Sequence, residues 1–275
     1  MTLIADSGST KTAWCITDGR RHVRHLLTAG INPFYMDKAG ITAELQHVQA
    51  QLACTVQRIY FYGAGVASPD KAALMKQCCE ELFPSAVAEA YTDLLGAARA
   101  LCGTAPGMAG ILGTGSNSCF YDGRQITDTV SPCGFILGDE GSGAALGKRF
   151  IADFLKRRLP QDLHHAFCAH SRLGNDEILE QVYRKPFPNR FLASFTTFLH
   201  QHQTHEYVQD LLQKNFDSFF TSNIMYYDYA RYPLHLLGSV AYYFQDAIKA
   251  TALRHNVSIG NIEKSAMPGL LHYHT

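Results

Sequence analysis

Asp6-Ser7-Gly8-Ser9-Thr10-Lys11-Thr12, DSGSTKT, stands directly after the apolar run Leu3-Ile4-Ala5. It admits two readings. A hairpin turn needs Gly8 and tolerates serine and threonine around it. A phosphate-binding turn uses the same residue types, because glycine lets the backbone approach an anion while amides and hydroxyls donate to its oxygens. The surrounding sequence has to separate them.

Working outward, Thr2–Ala5 and 12–17 alternate as strands on either side of the turn. Asp18-Gly19-Arg20 reads as a second turn and Val23–Leu27 as a third strand. Asp37–Leu52 has helical spacing, with Ile41, Leu45, Val48 and Leu52 on one face. A strand over Arg58–Tyr62, a helix over Pro69–Phe83, a short strand over Ala86–Tyr91 and a helix over Asp93–Cys102 follow. The order β-β-β-α-β-α-β-α then restarts. Met108–Leu112 runs into Gly113-Thr114-Gly115-Ser116-Asn117, and Asp122-Gly123-Arg124 marks the next turn. Gly8-Ser9 matches Gly115-Ser116, and Asp18-Gly19-Arg20 matches Asp122-Gly123-Arg124. Two similar α/β lobes are therefore expected. The first is predicted over 1–105 and the second over 106–265, with the tail 266–275 packing back on the first. The second contains a mostly helical stretch from Ser142 to Tyr229 before strand patterns return at Pro233–Leu237 and Ile259–Ser265.

Gly238-Ser239 adds a third glycine-hydroxyl pair at a strand end. One such turn is weak evidence; three at strand ends matter, because open α/β sheets bind ligands beyond strand C-termini. Gly141–Arg149 contains Gly-Lys without the GxxxxGK spacing and with Arg149 where a hydroxyl belongs; Lys11-Thr12 lacks the glycine before lysine. Neither is a P-loop, and no GxGxxG follows the first strand. Carboxylates complete the pattern: Asp6 ends the first strand, Asp93 opens a helix, and Asp139-Glu140 sit inside GDEGSG, residues 138–143. Asp93 and Asp139 would also serve as ordinary helix-start acids. Phosphoryl transfer gives them more to do, since it needs a carboxylate to anchor Mg²⁺ and a base to take the acceptor proton.

The composition narrows the partners. With 275 residues, 24 basic and 24 acidic, the chain has no net charge to grip nucleic acid or an anionic membrane. No apolar run approaches the ~20 residues that span a bilayer, and the first residues lack a basic signal-peptide region. Eight cysteines form no CxxC pair, which suits reduced thiols in the cytoplasm. The histidines around 164–165 and 200–205 have no metal-ligand spacing and read as surface or packing residues.

The ordered set DSGSTKT, Asn32-Pro33, Asp93, GTGSN, GDEGSG and Leu237-Gly238-Ser239-Val240 resembles the sugar-kinase/Hsp70/actin ATPase superfamily. Within it, the set is most similar to the branch of N-acetylglucosamine kinases and BadF/BadG/BcrA/BcrD-type ATPases. The resemblance spans nearly the whole chain and implies two ribonuclease-H-like, actin-like ATPase lobes with a nucleotide cleft between them. It implies that Gly8, Ser9, Thr10 and Lys11 surround the β- and γ-phosphates of ATP, with Asp6 acting on Mg²⁺ through water. Gly113, Thr114, Gly115 and Ser116 would form a second phosphate turn, and Gly238 and Ser239 would lie near the adenosine. Asn32, Thr114, Gly134 and Asp139 would contact the sugar, and Asp93 would bind it and act as the catalytic base. The family's Gly-Gly-Trp-Gly-like stretch before GDEGS reads Ser131-Pro132-Cys133-Gly134-Phe135 here, and the Thr-Asn-His pattern is replaced around Asn32. Both changes fall where the acceptor is chosen.

The expected activity is thus an ATP-dependent phosphotransferase acting on a sugar or amino-sugar hydroxyl. Two alternatives stand beside it. One is an ATPase that energises a partner enzyme, in which Cys119 and Cys133 would face a dimer axis and hold an iron–sulfur cluster. The other is a sugar or nucleotide sensor without turnover, for which the acid at 93 has no use. A homodimer stays open; nucleic-acid and membrane partners are not expected.

Overall fold

The computed structural model describes residues 1–8, 10–19 and 22–275. The chain divides into two compact units. One holds residues 1–105, 122–126 and 265–275; the other holds 106–121 and 127–264.

In the first unit, β1 (Thr2–Ser7), β2 (Lys11–Thr17) and β3 (His22–Ala29) form an antiparallel meander. Helix α1 (Lys38–Gln49) leads to β4 (Arg58–Gly63), and α2 (Pro69–Leu82) to β5 (Val87–Thr92), which is followed by α3 (Asp93–Cys102). β4 pairs parallel to β1, and β5 parallel to β4, giving the order β3-β2-β1-β4-β5. Local sequence explains the helix starts: Asp37, Ser68 and Thr92 each accept a backbone amide from the first turn. The core gathers Leu3, Trp14, Ile41, Leu45, Ile59, Phe61 and Met75, with the Trp14 and Phe61 rings 6.1 Å apart.

The second unit repeats the pattern. β6 (Gly107–Leu112), β7 (Ser116–Tyr121) and β8 (Ile126–Val130) form the meander. A helical run then intervenes: α4 (Gly134–Leu137), α5 (Gly143–Leu155), α6 (Gln161–Ser171), α7 (Asn175–Tyr183), α8 (Pro188–Ser194), α9 (Thr196–Gln201) and α10 (Glu206–Ser222). β9 (Leu234–Leu237), α11 (Ser239–Tyr243), α12 (Gln245–Arg254) and β10 (Ile259–Glu263) complete it. The sheet order is β8-β7-β6-β9-β10, the same as in the first unit. Its core is rich in phenylalanine, with Phe150, Phe167, Phe198, Phe216, Phe219 and Phe220 all buried.

Two elements differ from the sequence reading. The stretch 131–138 carries the short helix α4, and the tail forms α13 (Met267–His274), an element to which the sequence reading assigned no secondary structure. Proline is at home in the first turn of a helix, where its missing N–H costs nothing. Gly269 matters for packing, since a Cβ there would overlap the Ala100 carbonyl of α3. His274 then stacks on Tyr60 at 3.7 Å and shares a hydrogen bond with the Tyr62 hydroxyl at 2.9 Å. Burial pushes its imidazole down to about 4, so it is neutral at pH 7. Among the described residues no helix is long and apolar enough to cross a membrane.

Candidate active site

In the first unit, register brings the strand ends into line. Asp6 pairs with Tyr62 and Tyr62 with Tyr91; one step on, Ser7, Gly63 and Thr92 lie side by side. Asp93 follows at the first position of α3, which sets it at the same end of the sheet as Asp6. Both acids are partly buried. Desolvation pushes Asp6 up to about 6, and the nearby charge of Asp93 adds to that, opposed by the Ala266 amide and by Lys11. Desolvation also raises Asp93, against the Leu94 amide that donates to its Oδ1 at 2.9 Å. Burial thus holds both carboxyls above the ordinary range, and the charge of Asp93 adds to the effect at Asp6.

The turn itself is split between structure and exposure. The hydroxyls of Ser7 and Thr12 are fully buried, 2.6 Å apart, and both accept the Ile31 amide, at 3.0 and 3.1 Å. Ser7 also donates to the Ile31 carbonyl at 2.9 Å. These two hydroxyls therefore fasten the 30–36 segment to the β1–β2 turn and are not free for a ligand. Gly8, Thr10 and Lys11 stay exposed; the Gly8 amide donates to the Lys11 carbonyl at 3.0 Å, closing the turn. Ser9, the remaining predicted phosphate contact, lies outside the described residues.

Asn32 is held by the segment that Ser7 and Thr12 anchor. Its Oδ1 accepts the Phe34 amide at 2.9 Å, and a Cβ on Gly65 would overlap that same oxygen. Gly65 has φ +83°, so glycine is required there both for its backbone and for the room it leaves to Asn32. Phe34 and Tyr35 beside it are exposed.

In the second unit the β6–β7 turn is Gly113–Gly115. The Gly113 amide donates to the Gly115 carbonyl at 2.9 Å, and a Cβ on Gly113 would meet nothing within 4 Å. The Gly113 and Thr114 carbonyls accept the Gly143 and Ala144 amides, tying the turn to the start of α5. Asp139, with φ +57°, reaches this turn: the Ser116 amide donates to its Oδ1 at 3.3 Å, and a Cβ on Gly115 would come within 2.9 Å of its Oδ2. Desolvation raises Asp139 as well. Gly134, with φ +71°, is exposed and opens α4. Asp139, Thr114 and Ser116 are therefore neighbours, whereas Gly134 stands apart on the α4 loop.

Gly238 has φ +115° and a Cβ there would overlap the Leu112 carbonyl, so only glycine lets this loop lie against the base of the Gly113 turn. Ser239, next to it, lines a pocket of about 340 Å³ with Thr196, Thr197, His200, Val240 and Tyr243. That falls in the range of small-ligand pockets. The buried Nδ1 of His200 has no partner within the protein, while its ring lies 5.1 Å from Tyr243 and 5.7 Å from Phe244. Thr196, Thr197, His200 and Tyr243 are not legible as site residues in the sequence; each is an ordinary helix residue whose meaning comes only from α9 packing beside α11. The cysteines of the electron-transfer alternative do not share a surface: Cys119 is fully buried in β7, whereas Cys133 is exposed. No group of three or more metal-ligating side chains exists among the described residues.

Comparison with solved structures places the chain among sugar kinases. A Porphyromonas gingivalis protein provisionally named an N-acetylglucosamine kinase is 44% identical, covering 100% of this chain and 98% of its own, with a TM-score of 0.95. A similarly named Chromobacterium violaceum protein is 17% identical over 100% of this chain and 98% of its own, with a TM-score of 0.77. A ROK-family glucokinase from Streptomyces griseus, solved with glucose and AMPPNP, is 14% identical over 99% and 97%, with a TM-score of 0.66. The last two show the fold alone. No protein-family model matches the chain, and no curated protein does. At 44% identity over its whole length to the P. gingivalis protein, the chain belongs to the N-acetylglucosamine kinase-like family of sugar kinases with the actin-like ATPase fold.

Proposed function

We propose that the protein is an ATP-dependent kinase that phosphorylates a hydroxyl of a sugar or amino sugar, in the manner its P. gingivalis relative's name suggests. The observation that carries this reading is the placement of Asp6 and Asp93 at one sheet end beside the exposed residues Gly8, Thr10 and Lys11. A base works best with its affinity for protons near the working pH, and burial moves Asp93 in that direction. Asp93 takes the acceptor proton as the phosphoryl group transfers. Asn32 and Asp139 hold sugar hydroxyls, with Thr114 and Gly134 as further contacts.

The Thr10 amide and the Lys11 ammonium offer donors to phosphate oxygens, as do the Gly115 amide and the Ser116 hydroxyl in the second unit, while Gly8 and Gly113, whose own amides close their turns, leave room for the phosphates to approach the backbone. Ser239, with Gly238 directly before it, lines the pocket that receives the nucleoside, where the unpaired His200 Nδ1 suits a purine or ribose polar atom. A lone oxygen donor such as Asp6 fits Mg²⁺, which keeps most of its waters and takes few protein ligands. Bound Mg²⁺ supplies charge neutralisation on the phosphate oxygens. Among the described residues all cysteines are free thiols, which fits a protein of the reducing cytoplasm.

The test is ATP consumption by the purified protein with N-acetylglucosamine, glucosamine, N-acetylmannosamine and glucose in turn. At least one sugar stimulates turnover tenfold or more over the sugar-free rate. Equal turnover with and without every sugar removes the kinase reading.

A further inference from the structure

The second unit contains a groove of about 420 Å³ between α5 and α10, closed at one end by α4. Positions 145, 148, 149 and 152 of α5 line one wall and 211, 214, 215 and 218 of α10 the other, as i, i+3, i+4 and i+7 spacing requires. Neither the phosphate turns nor the nucleoside pocket uses these residues. Arg149 is the residue that spoils the P-loop reading of Gly141–Arg149.

The lining is strongly biased in charge. Lys148, Arg149 and Lys214 contribute three cations against the single carboxylate Glu140. Lys148 donates to the Phe135 carbonyl at 3.0 Å and Lys214 pairs with Asp210 at 2.6 Å, while Arg149 has no ion pair among the described residues. Asn215 is only 8% exposed, and its amide Nδ2 has no acceptor within the protein. At the α4 end Ile136 and Leu137 are 73% and 81% exposed, an adjacent apolar pair open to a ligand in the groove. Glu140 directly follows Asp139, so the groove begins one residue from the proposed acceptor contact.

We propose that this groove is a second ligand site, taking a sugar phosphate as a feedback inhibitor. The three cations match a phosphate dianion, with the Arg149 guanidinium suited to two-pronged contact. Glu140 accepts from ring hydroxyls, Asn215 donates to a ligand oxygen, and Ile136 and Leu137 cover the apolar face of the ring. The volume suits a small molecule and is too small for a peptide. The proposal rests on the sugar-kinase reading, since the product of that reaction belongs to this class.

Calorimetric titration of the full chain with glucosamine 6-phosphate, glucosamine and inorganic phosphate tests it, with saturating sugar and a non-hydrolysable ATP analogue present throughout. Wild type is compared with Arg149→Gln and with Arg149→Gln/Lys214→Gln, each checked for unchanged melting. Glucosamine 6-phosphate binds wild type at least tenfold more tightly than the double variant, with the single variant between them, and more tightly than either other probe binds. Inhibition by glucosamine 6-phosphate that excess sugar does not relieve disappears in the double variant, while its kcat and KM stay at wild-type values. Equal binding by wild type and double variant overturns the proposal, as does inorganic phosphate binding as tightly as the sugar phosphate. Because the titration needs no turnover, it tests the groove even in a protein that phosphorylates no sugar.

Discussion

The two sheets share one strand order and differ in where they carry charge. Asp6 and Ile111 occupy the same place, the penultimate position of a six-residue first strand, facing Ala13 and Tyr62 in one sheet and Asn117 and Leu237 in the other. The first unit therefore places an acid inside its own strand end and a second acid, Asp93, on the helix after its last strand. The second unit has an aliphatic side chain there and brings Asp139 to its turn from a loop. One scaffold used twice thus gives two similar glycine turns, and the chemistry is added asymmetrically. The first unit holds two raised carboxyls at one sheet end; the second holds one raised carboxyl, brought to its turn from a loop, and the nucleoside-sized pocket.

The largest predicted effect follows from that asymmetry. Asp93→Asn lowers kcat by about 10²–10⁴-fold, the usual contribution of a general base, and leaves the KM for ATP near wild type. An equal loss in Asp139→Asn would break the distinction between the units; the expected change there is a rise in the KM for sugar of roughly tenfold, measured by varying sugar at saturating ATP. Asp6→Asn costs about 10–100-fold in activity and raises the Mg²⁺ concentration needed for half-maximal rate.

Stability should move the other way. Asp6 binds its proton more tightly in the folded protein, with a value of about 6 against an ordinary 3.8, so folding stability falls as pH rises through that window. Removing the charge with Asp6→Asn raises the melting temperature at pH 7.5 by roughly 2–4 °C, and the gap closes towards pH 4. A variant that is less stable at pH 7.5 contradicts the burial argument. Two glycine positions give the smallest contrasts. Gly238→Ala, at φ +115° and against the Leu112 carbonyl, destabilises by about 1–3 kcal/mol in denaturant titration. Gly8→Ala, whose Cβ would sit an ordinary 3.8 Å from the Lys11 carbonyl, changes stability by less than about 0.5 kcal/mol and shows its effect in the KM for ATP.

Much of this is legible in the sequence because strand-turn-strand units have strong local signals. Period-two alternation around DSGSTKT and GTGSN places β1, β2, β6 and β7, and the Thr92-Asp93 cap starts α3 where the helix begins. Asp6 and Asp93 are legible individually, whereas their coupling depends on parallel pairing through β4 and β5, which no local pattern encodes. The assignment of Ser7 and Thr12 to holding the 30–36 segment is likewise a long-range fact. Helix α13 is hidden by Pro268-Gly269, a pair that marks a break in isolation and a first helical turn when α3 offers a surface to pack against. The His200 pocket is hidden because α9 and α11 are 38 residues apart by the spacing of Gln201 and Ser239.

The central claim is that Asp93 activates a sugar hydroxyl for attack on ATP. The most direct test is to follow sugar phosphate and ADP together in wild type and Asp93→Asn, using whichever sugar stimulates turnover. The account predicts one sugar phosphate formed per ADP in wild type, and a parallel loss of both by two orders of magnitude or more in the variant. ADP formed without sugar phosphate, or a variant within threefold of wild type, contradicts it.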